Sequence, residues 1–532
     1  MEGITEPDKC TGCKICADIC PHQAIEYRDD QDGFWYPHID KEHCVDCGKC
    51  VRSCPENNEY TNDNINPKVF SAWHKADDIR MKSTSGGVFF ALAKTVIDQG
   101  GYVAGCAYSA DYKSAYHMVI HKVEDLDQLM ISKYLQSDTR QIYREIKKLL
   151  GEGMPVLFSG TSCQVNALYQ YLGDKVSNLY TMDLICHGVN SPKAFAAYIS
   201  EQEKRNKSKV SALSLRDKRQ GWLKSGTYME FENGKTYFAV NEEDLWSQGF
   251  LKHLYMRKSC YKCRYRRFPR VADITVGDYW GITNVSSSSL HKGVSAVLLN
   301  SQKGEQLFEE AKKELIFKET SLLSVRKRNS ILEKETVLPK ERSEFSDLLN
   351  KYSFSKAVNK CCASMEQERR TGYMKKGVVS FVSGGLGAAI GAAAVNQVRK
   401  KELQENDELL KKNIQFYSIL VQWLTLKQRN IRLDQYFKKN HYKTIAIYGM
   451  KELGERLYYE LKDSDIDVLY AIDKNPDGLC EEIKVVPPGE GLEKVDVIVV
   501  TATYYFYDIQ EELETYTDCP IISLEDVVFE CE

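Results

Sequence analysis

The chain has 532 residues, a formal net charge of −3 and 43% hydrophobic residues. This length predicts three or four domains, and the near-neutral charge provides no basic field for binding nucleic acid. No apolar run follows Met1, so we expect no signal peptide and a cytoplasmic protein. The 18 cysteines, several of them in Cys-x-x-Cys pairs, indicate metal binding in so large a chain rather than a disulfide scaffold.

Two cysteine runs, CTGCKICADICP and CVDCGKCVRSCP, lie near the start of the chain. Each has three closely spaced cysteines and a fourth before a proline, as in bacterial two-cluster ferredoxins, where that fourth cysteine ligates the other cluster. Zinc knuckles share the Cys-x-x-Cys pair, but two complete runs favour iron–sulfur clusters. We therefore predict a bacterial-type ferredoxin domain with two [4Fe-4S] clusters over residues 1–66. The predicted ligands are Cys10, Cys13, Cys16 and Cys54 for cluster one, and Cys44, Cys47, Cys50 and Cys20 for cluster two.

Residues 67–304 alternate between helical and strand-like patterns, which predicts a multidomain α/β chain whose central domain has a mostly parallel sheet. SGGVFFALAKTVIDQG and DLDQLMISKYLQ are predicted helices, and YVAGCAYSA, MPVLFSG, LYTMDLICHG and ADITVGDYWGI contain predicted strands. Ligands of such sheets bind beyond the carboxyl ends of the strands, where Cys163 and Cys186 fall.

A second Cys-x-x-Cys pair lies in CYKCRYRRFPR, far from the first two runs. With Cys163 and Cys186, the pair Cys260 and Cys263 supplies the four thiolates of a third [4Fe-4S] cluster. Cys106 competes for one position, but it lies within a predicted strand and is interpreted as core packing. Four arginines follow this pair. Their positive charge would favour the reduced cluster or hold a phosphate-bearing cofactor, and the alternative is a solvated basic loop. The arginines are Arg264, Arg266, Arg267 and Arg270.

Five segments resemble, in this order, the beta subunit of coenzyme F-420 (deazaflavin) hydrogenases and dehydrogenases. They are SAWHKADDIRMKSTSGGVFFALAKTVIDQGGYVAG, SKYLQSD, VLFSGTSCQVNAL, DLICHGVNSPKAF and CYKCRYRRFPRVADITVGDYWG. The resemblance covers roughly the first 300 residues and implies an FAD protein with iron–sulfur clusters, whose flavin exchanges a hydride with a carrier or substrate. Because the same scaffold serves reductases of other substrates, the family does not fix the reaction.

A flavin also fits the ferredoxin domain chemically, because it converts two-electron chemistry into the single electrons that clusters carry. Ser85, Gly86 and Gly87 begin a predicted helix whose backbone amides can approach a phosphate or a flavin carbonyl. Trp280 stacks on a flat ring or packs, and Asp278 anchors a sugar hydroxyl or caps a turn. His187 is a candidate proton donor and Lys133 an alternative. Ser132, Lys133, Tyr134 and Gln136 either donate to the cofactor or belong to an ordinary amphipathic segment, and the resemblance favours cofactor binding. Arg267, among the arginines after Cys263, is a further candidate for cofactor binding.

Residues 305–440 are charged and periodic, which predicts a helical connector. Within it, residues 377–398 form an uncharged Gly/Ala-rich stretch, predicted as a glycine-zipper or membrane-contacting helix in preference to a membrane span. Residues 441–532 resemble a small Rossmann-type domain attached to enzymes of surface-polysaccharide assembly. Gly449, Gly454 and Asp473 are its candidate nucleotide ligands, but the motif lacks the middle glycine, and a docking role remains an equal alternative.

The leading hypothesis is a flavin-dependent iron–sulfur oxidoreductase that moves electrons between the clusters and FAD, and reduces or oxidises an organic substrate or deazaflavin-like carrier. A ferredoxin or a dehydrogenase subunit is the expected protein partner. The first alternative is an electron-transfer subunit of a larger dehydrogenase complex, without its own substrate site. The second is a redox enzyme of surface-polysaccharide biosynthesis with a nucleotide-sugar-binding tail.

Overall fold

The computed structural model describes residues 3–58, 66–173, 176–282, 285–377, 412, 415–475, 482–489 and 491–531. The chain divides into two compact units. The first comprises Met1–Gly281 and Leu290–Val378, and the second comprises Ile282–Ser289 and Val379–Glu532. The predicted ferredoxin domain and the predicted central domain, apart from residues 282–289, therefore lie in one unit.

The ferredoxin region is built around an antiparallel hairpin of β1 (Ile25–Asp29) and β2 (Trp35–Ile39), which lies between the two cysteine runs. A short helix follows the start of each run, at Ile15–Ile19 and Lys49–Arg52. Each helix begins after a left-handed residue, Lys14 or Gly48, so the chain turns sharply within the spacing between cysteines.

The central region contains a nine-stranded sheet and a separate three-stranded antiparallel sheet. The nine strands run in the order β14-β3-β13-β12-β8-β7-β4-β5-β6, and the three in the order β11-β10-β9. The strands are β3 (Lys68–His74), β4 (Tyr102–Tyr108), β5 (Ala115–Ile120), β6 (Ser137–Asp138), β7 (Val156–Gly160), β8 (Leu179–Leu184), β9 (Val210–Asp217), β10 (Gly226–Phe231), β11 (Thr236–Val240), β12 (Ile274–Asp278), β13 (Ser295–Leu299) and β14 (Leu315–Thr320).

The large sheet is mixed, which corrects the expectation of a mostly parallel sheet. Its centre, β12-β8-β7-β4, is parallel, whereas β13, β3 and β14 on one side pair antiparallel. On the other side, β5 follows β4 after only six residues, and so short a connection requires an antiparallel hairpin. The parallel centre still brings the carboxyl ends of β7 and β8 side by side.

Helices connect and cover these strands. Val88–Asp98 and Ser162–Leu172 contribute buried apolar side chains, and the predicted helix at DLDQLMISKYLQ is reduced to Asp127–Met130. The others, in chain order, are Asp77–Lys82, Ile142–Gly151, Pro192–Asn206, Leu245–Leu251, Lys258–Tyr261, Ser287–Lys292, Gln302–Ala311, Leu322–Arg328, Glu341–Lys351 and Phe354–Gly377.

The predicted helical connector begins inside the helix Gln302–Ala311, but β14 at Leu315–Thr320 then forms the edge of the large sheet beside β3. The large sheet therefore extends beyond residue 305, and the predicted domain bounds remain predictions. The high charge of LIFKET concealed the strand, since an edge strand exposes many of its side chains. No membrane-spanning helix is found in the described part of the chain. Residues 378–398 of the Gly/Ala-rich stretch lie outside the described residues.

The second unit contains a five-stranded, all-parallel sheet in the order β17-β16-β15-β18-β19. Numbered from β15, this order is 3-2-1-4-5, the arrangement of a doubly wound Rossmann-type sheet. The strands are β15 (Thr444–Tyr448), β16 (Asp467–Ile472), β17 (Val485–Val486), β18 (Val497–Val500) and β19 (Ile521–Ser523). The helices are Asp434–Lys439, Glu452–Leu461, Phe506–Leu513 and Leu524–Phe529, and residues 415–428 are also helical.

Candidate functional site

Four cysteines from three separate parts of the chain line one cavity, whose empty volume is about 640 Å³. Cys163 is the second residue of the helix that follows β7, and Cys186 lies two residues after β8. Because β7 and β8 are parallel neighbours, their carboxyl ends deliver both thiols to the same side of the sheet. The pair Cys260 and Cys263 completes the set, so the structure brings together the four cysteines predicted for the third cluster.

The four thiols are close enough to influence one another electrostatically. Burial and the neighbouring Cys263 raise the pKa of Cys186 to about 11, and burial with Cys263 and Cys186 raises the pKa of Cys260 to about 12. Burial and Cys263 also raise the pKa of Cys163 well above its usual value. Such crowding disfavours four separate thiolates, but a bound metal deprotonates coordinating thiols and compensates their charge.

Cys106 is not among the residues that line this cavity. It lies in β4 and packs beside Tyr108 and Tyr134 in an apolar cluster, as expected for a core cysteine. Burial raises the pKa of its thiol, which the nearby Lys133 partly offsets.

Two of the four predicted arginines, Arg266 and Arg270, line the cavity. Arg270 is bonded to Asp183, Ser162 and the carbonyl of Leu184. Arg266 donates through Nη2 to the carbonyl of Cys260 at 2.6 Å, and its buried Nε has no hydrogen-bond acceptor among the described residues. A buried N–H at the cavity wall fits a cluster, whose sulfur atoms accept hydrogen bonds.

Arg264 and Arg267 do not line the cavity. Arg264 binds the carbonyls of Glu56 and Asn58, and Arg267 is exposed beside Glu335. The prediction that Arg267 binds a cofactor is therefore not supported by its position. Sequence periodicity could not separate the four arginines, because the short turn Arg264–Arg266 and the following loop have no regular repeat.

The ferredoxin region forms one wall of the same cavity, through Thr11 and Gly12. These two residues separate Cys10 from Cys13, predicted ligands of cluster one. Gln136 also lines the cavity, and its amide nitrogen lies 3.4 Å from the carbonyls of both Thr11 and Gly12. Gln136 therefore lies at the junction of the ferredoxin and central regions rather than in the group of flavin candidates described below.

The predicted ligand sets of the ferredoxin clusters are also assembled. Cys20, Cys44, Cys47 and Cys50 line a second cavity, with an empty volume of about 360 Å³. Burial raises the pKa of Cys13 to about 12, with further contributions from Cys10 and Cys54. Burial also raises the pKa of Cys16, and Cys13, Cys10 and Cys54 raise it further. Within the described ranges, no three His, Cys, Asp or Glu side chains are placed to hold a single metal ion.

The glycine turn proposed for the flavin is packed against protein. The amide of Gly86 donates to Ser295 Oγ, its carbonyl accepts from the amide of His74, and a Cβ here would lie 2.5 Å from the carbonyl oxygen of Ala72. Gly87 has φ +86° at the start of its helix. Ser85 donates to the carbonyl of Val294. The Gly86 amide is therefore engaged within the protein, and cofactor binding by Ser85, Gly86 and Gly87 remains a prediction.

Ser132, Lys133 and Tyr134 lie in a loop rather than a helix. The amide of Ser132 donates to Thr84 Oγ1, and Lys133 donates to the carbonyl of Gln128. Burial lowers the pKa of Lys133 to about 8, so its ammonium group loses its proton close to neutral pH. Burial raises the pKa of Tyr134, and the charges of Arg216 and Asp278 also act on it. Of these three candidates, Tyr134 therefore lies near the group of aromatic and charged residues described next.

Asp278 and Trp280 lie in a group of aromatic and charged side chains that also includes Arg216 and Trp222. Trp222 donates to Asp278 at 3.1 Å and stacks on Trp280, with ring centroids 4.7 Å apart and planes 6° apart. Arg216 lies 3.2 Å from Asp278 and 5.3 Å from the ring centroid of Trp280. One face of Trp280 is therefore occupied by Trp222. The Nε of Arg216 is buried and has no hydrogen-bond acceptor in the described part of the chain.

Two more cations lie near this group, Lys218 and Arg80. Lys218 is buried, and its ammonium donates to the carbonyls of Ser85 and Lys292 at 2.7 and 2.6 Å. Burial and the neighbouring Arg80 lower the pKa of Lys218 to about 7. The sequence interpretation missed Arg216, Lys218 and Trp222. The sequence signal that could have identified them is the run of charged residues from Arg216 to Lys218 at the end of β9, which Gly221 and Trp222 follow.

His187 faces His253 rather than an open cavity. Their Nε2 atoms lie 2.7 Å apart, and the rings stack at a centroid distance of 4.9 Å. Burial, with His253 and Arg266, lowers the pKa of His187 to about 4, so its neutral form is favoured near neutrality. A neutral imidazole is a poor proton donor, and the donor role of His187 remains a prediction without support from this geometry.

In the second unit, Gly449, Gly454 and Asp473 meet at the carboxyl ends of β15 and β16. Asp473 accepts from the amide of Met450 at 3.1 Å. Gly449 has φ +89°, and a Cβ on Gly454 would lie 2.1 Å from the carbonyl oxygen of Gly449. Close packing of strand and helix thus explains both glycines, and nucleotide binding remains a prediction.

Comparison with known proteins identifies two regions. Residues 153–323 match the family described as coenzyme F420 hydrogenase/dehydrogenase, C terminus of the beta subunit, and residues 9–58 match the 4Fe-4S dicluster domain. A chain of the F420-reducing [NiFe] hydrogenase complex from Methanosarcina barkeri is 17% identical, covering 58% of this chain and 95% of that chain, with a TM-score of 0.35. At this TM-score, the alignment does not establish a common fold.

Curated relatives match the ferredoxin region. An uncharacterised ferredoxin of Methanocaldococcus jannaschii is 37% identical over 57 residues, which are 11% of this chain and 73% of the relative. Ferredoxin 7Fe of Hydrogenibacillus schlegelii is 39% identical over 62 residues, which are 11% of this chain and 70% of the relative. A subunit of the Na(+)-translocating ferredoxin:NAD(+) oxidoreductase complex of Acetobacterium woodii is 43% identical over 47 residues, 9% of this chain and 13% of the relative.

These matches cover the cysteine runs of the ferredoxin region and the segment that contains Cys163, Cys186, Cys260 and Cys263. The 4Fe-4S dicluster domain holds two clusters. The chain therefore belongs to the dicluster ferredoxins through residues 9–58, and its residues 153–323 are similar to the C terminus of the coenzyme F420 hydrogenase/dehydrogenase beta subunit.

Proposed function

We propose that this protein is an iron–sulfur flavoprotein oxidoreductase. It moves electrons between ferredoxin-type clusters and FAD, and reduces or oxidises an organic substrate or deazaflavin-like carrier. The observation that carries the proposal is the cavity lined by Cys163, Cys186, Cys260 and Cys263, with Thr11 and Gly12 of the ferredoxin region in its wall. This arrangement supports a third cluster adjacent to cluster one.

The donor sets fit [4Fe-4S] clusters, since each consists of four cysteines, the ligands that such clusters use. Cys163, Cys186, Cys260 and Cys263 would hold the third cluster, and the two interleaved sets of the ferredoxin region would hold clusters one and two. Arg266 and Arg270 would face the third cluster, where their charge would compensate that of the four thiolates.

The flavin is assigned to the group formed by Arg216, Trp222, Asp278 and Trp280. The buried Nε of Arg216 would donate to a carbonyl or phosphate oxygen, and Lys218 and Arg80 would add positive charge for an anionic cofactor. Bound clusters supply one-electron transfer, and a bound flavin supplies the exchange between hydride and single electrons. Asp278 would hold the Arg216 guanidinium in place, while stacked Trp222 and Trp280 would exclude water.

The rival function is an electron-transfer subunit without its own substrate site. The matching family is described as a beta subunit, which favours this rival and makes an electron-donating or electron-accepting partner protein part of either proposal. The two functions differ in what the purified chain can do alone. Only an oxidoreductase with its own site exchanges electrons directly with a small organic molecule.

A reoxidation experiment distinguishes them. The anaerobic, purified full chain is reduced, excess reductant is removed, and flavin absorbance is followed after adding coenzyme F420 and, in a separate run, a ferredoxin. Rapid reoxidation by F420 alone supports the proposed oxidoreductase. Reoxidation by ferredoxin but not by F420 or other organic acceptors contradicts it and supports the electron-transfer subunit.

The polysaccharide-pathway function depends on the second unit, whose 3-2-1-4-5 parallel sheet is of the kind that binds nucleotides. Titration of the full chain with nucleotide-sugars, followed by calorimetry, tests it. Saturable binding that is lost in Asp473→Ala would support this role. Absence of binding in a chain that retains its clusters would contradict it.

A further inference from the structure

We propose that Arg257 is a positioning residue shared by two clusters, which sets the reduction potentials of cluster one and the third cluster together. This inference rests on the proposed function, because it requires a cluster in the cavity of Cys163, Cys186, Cys260 and Cys263. It assigns a role to a residue that contacts no substrate and lies outside every sequence motif considered above.

Arg257 is bonded to a predicted ligand of each cluster. Its Nε donates to the carbonyl of Cys10 at 2.8 Å, and its own carbonyl accepts from the amide of Cys260 at 3.0 Å. Cys10 belongs to the cluster-one set and Cys260 to the third-cluster set. One residue therefore connects two ligand loops that are 250 residues apart in the sequence.

The guanidinium uses its other nitrogens to fix the same junction. Nη1 donates to Gln136 Oε1 at 2.9 Å, and Nη2 donates to the carbonyl of Trp35 at 3.1 Å. Gln136 in turn lies against Thr11 and Gly12 in the cavity wall. Gly12 must be glycine here, because a Cβ would lie 2.0 Å from the Gln136 amide nitrogen and 3.0 Å from Nη1 of Arg257.

The charge of Arg257 is buried, and no acid among the described residues neutralises it. The residue is 0% exposed, and the hydrogen-bond acceptors of its side chain in the described structure are two backbone carbonyls and the amide of Gln136, with no carboxylate among them. Its neighbours are carbonyl oxygens, an amide and the rings of Tyr36 and Phe34, whose centroids lie 4.4 and 5.3 Å from the guanidinium carbon. These groups orient the cation without cancelling its charge.

A buried positive charge acts on both clusters in the same direction. A [4Fe-4S] cluster with four thiolate ligands is negative, and reduction adds one more negative charge. In a low-dielectric interior, an adjacent cation stabilises the reduced form more than the oxidised form. Arg257 therefore raises both potentials. Cluster two, whose ligand residues have no hydrogen bond to Arg257 in the described structure, serves as an internal reference.

The test compares Arg257→Gln, Arg257→Lys and Arg267→Gln in the full chain. Each variant is titrated anaerobically against a potential scale, with the clusters followed by electron paramagnetic resonance. The signals are assigned with Cys163→Ala, which lacks a third-cluster ligand. Arg267 is the matched control, because it is an arginine of the same region whose side chain is exposed and paired with Glu335.

Arg257→Gln is expected to lower the midpoint potentials of cluster one and the third cluster while leaving cluster two unchanged. Arg257→Lys, which keeps the charge, is expected to retain potentials close to those of the wild type. Arg267→Gln is expected to change none of them. A merely structural role for Arg257 would alter cluster content or stability without shifting two potentials selectively.

Unchanged potentials in an Arg257→Gln protein with full iron content would overturn this inference, and would leave the proposed function standing. If that variant loses its clusters, Arg257→Lys decides: wild-type potentials support the charge effect, and lowered potentials contradict it. A wild-type protein without a third cluster would instead overturn the proposed function itself.

Discussion

The guanidinium of Arg270 lies 2.9 Å from the carboxylate of Asp183, and the two side chains are only 1% and 0% exposed. Asp183 also accepts from Thr275 at 2.5 Å, while Arg270 donates to Ser162 and to the carbonyl of Tyr265. This buried pair joins β8 to the loop that follows Cys263. It therefore fixes two of the chain segments that supply cysteines to the cavity.

Removing one partner of this pair leaves an unpaired buried charge. We expect Asp183→Asn or Arg270→Gln to destabilise the first unit by about 3–5 kcal/mol, and to lower the occupancy of the third cluster. Chemical unfolding of the full chain measures the first effect, and iron content measures the second. The matched control is Arg267→Gln, which breaks an exposed pair with Glu335 and should cost about 0–1 kcal/mol. Equal effects at the two sites would contradict the structural role of the buried pair.

Arg216 and Arg219 provide a matched pair for the flavin site. Arg216 is largely buried against Asp278 and Trp280, whereas Arg219 is half-exposed beside Asp217 and Tyr228. We expect Arg216→Met to lose most of its bound flavin, because the variant lacks the buried donor and the cation. Arg219→Met should retain flavin at the wild-type level. The flavin released from each purified variant is measured by fluorescence. A flavin-replete Arg216→Met protein would place the cofactor elsewhere.

His117 makes the first unit sensitive to acid. It is 4% exposed, lies 3.2 Å from Ser137 Oγ and stacks on Phe158, and burial lowers its pKa from 6.5 to about 4. Above pH 6.5 both folded and unfolded forms are neutral, so His117 contributes nothing to pH dependence. Between pH 6.5 and 4 only the unfolded chain binds the proton. The free energy of unfolding therefore falls as the pH is lowered, and the decrease due to His117 reaches about 3 kcal/mol at pH 4 and below.

His117→Asn tests this sign, because asparagine can keep a hydrogen bond to Ser137 but does not titrate. Thermal unfolding at pH 7 and pH 5 should show a smaller loss on acidification for the variant than for the wild type. Groups that titrate in both proteins cancel in this difference. An identical loss in the two proteins would show that His117 is not the group responsible.

Gly454 is required by the packing of the second unit. Alanine normally stabilises a helix relative to glycine by about 1 kcal/mol. At position 454, however, the added Cβ would lie 2.1 Å from the backbone carbonyl of Gly449. We therefore expect Gly454→Ala to lower the resistance of the second unit to thermal unfolding, monitored by proteolysis of the full chain. Gly489→Ala is the control, since nothing lies within 4 Å of its added Cβ. A neutral or stabilising Gly454→Ala would refute this packing argument.

The cysteine arrangement could be predicted from the sequence because its signals are local. Spacing within each run identifies the ferredoxin region, and the strand pattern before Cys163 and Cys186 places them at strand ends. Parallel pairing of β7 and β8 then brings these ends together. The mixed character of the sheet was not predictable in this way, because β3 pairs with β13 and β14, more than 200 residues later.

The charged partners of the site were also beyond sequence reasoning. Arg257 lies three residues before Cys260, yet its side-chain contacts are with Cys10, Trp35 and Gln136. Arg216 and Trp222 meet Asp278 only because the three-stranded sheet packs near the end of β12. Each of these contacts joins single residues across long separations. No periodicity or motif spacing records such pairs.

The central claim is that the cavity of Cys163, Cys186, Cys260 and Cys263 holds a third [4Fe-4S] cluster. Its most direct test is the iron and acid-labile sulfide content of anaerobically purified protein, measured for the wild type, Cys163→Ala and Cys106→Ala. Twelve ligand cysteines predict about twelve irons in the wild type and in Cys106→Ala, and about eight in Cys163→Ala. About eight irons in all three proteins would contradict the account.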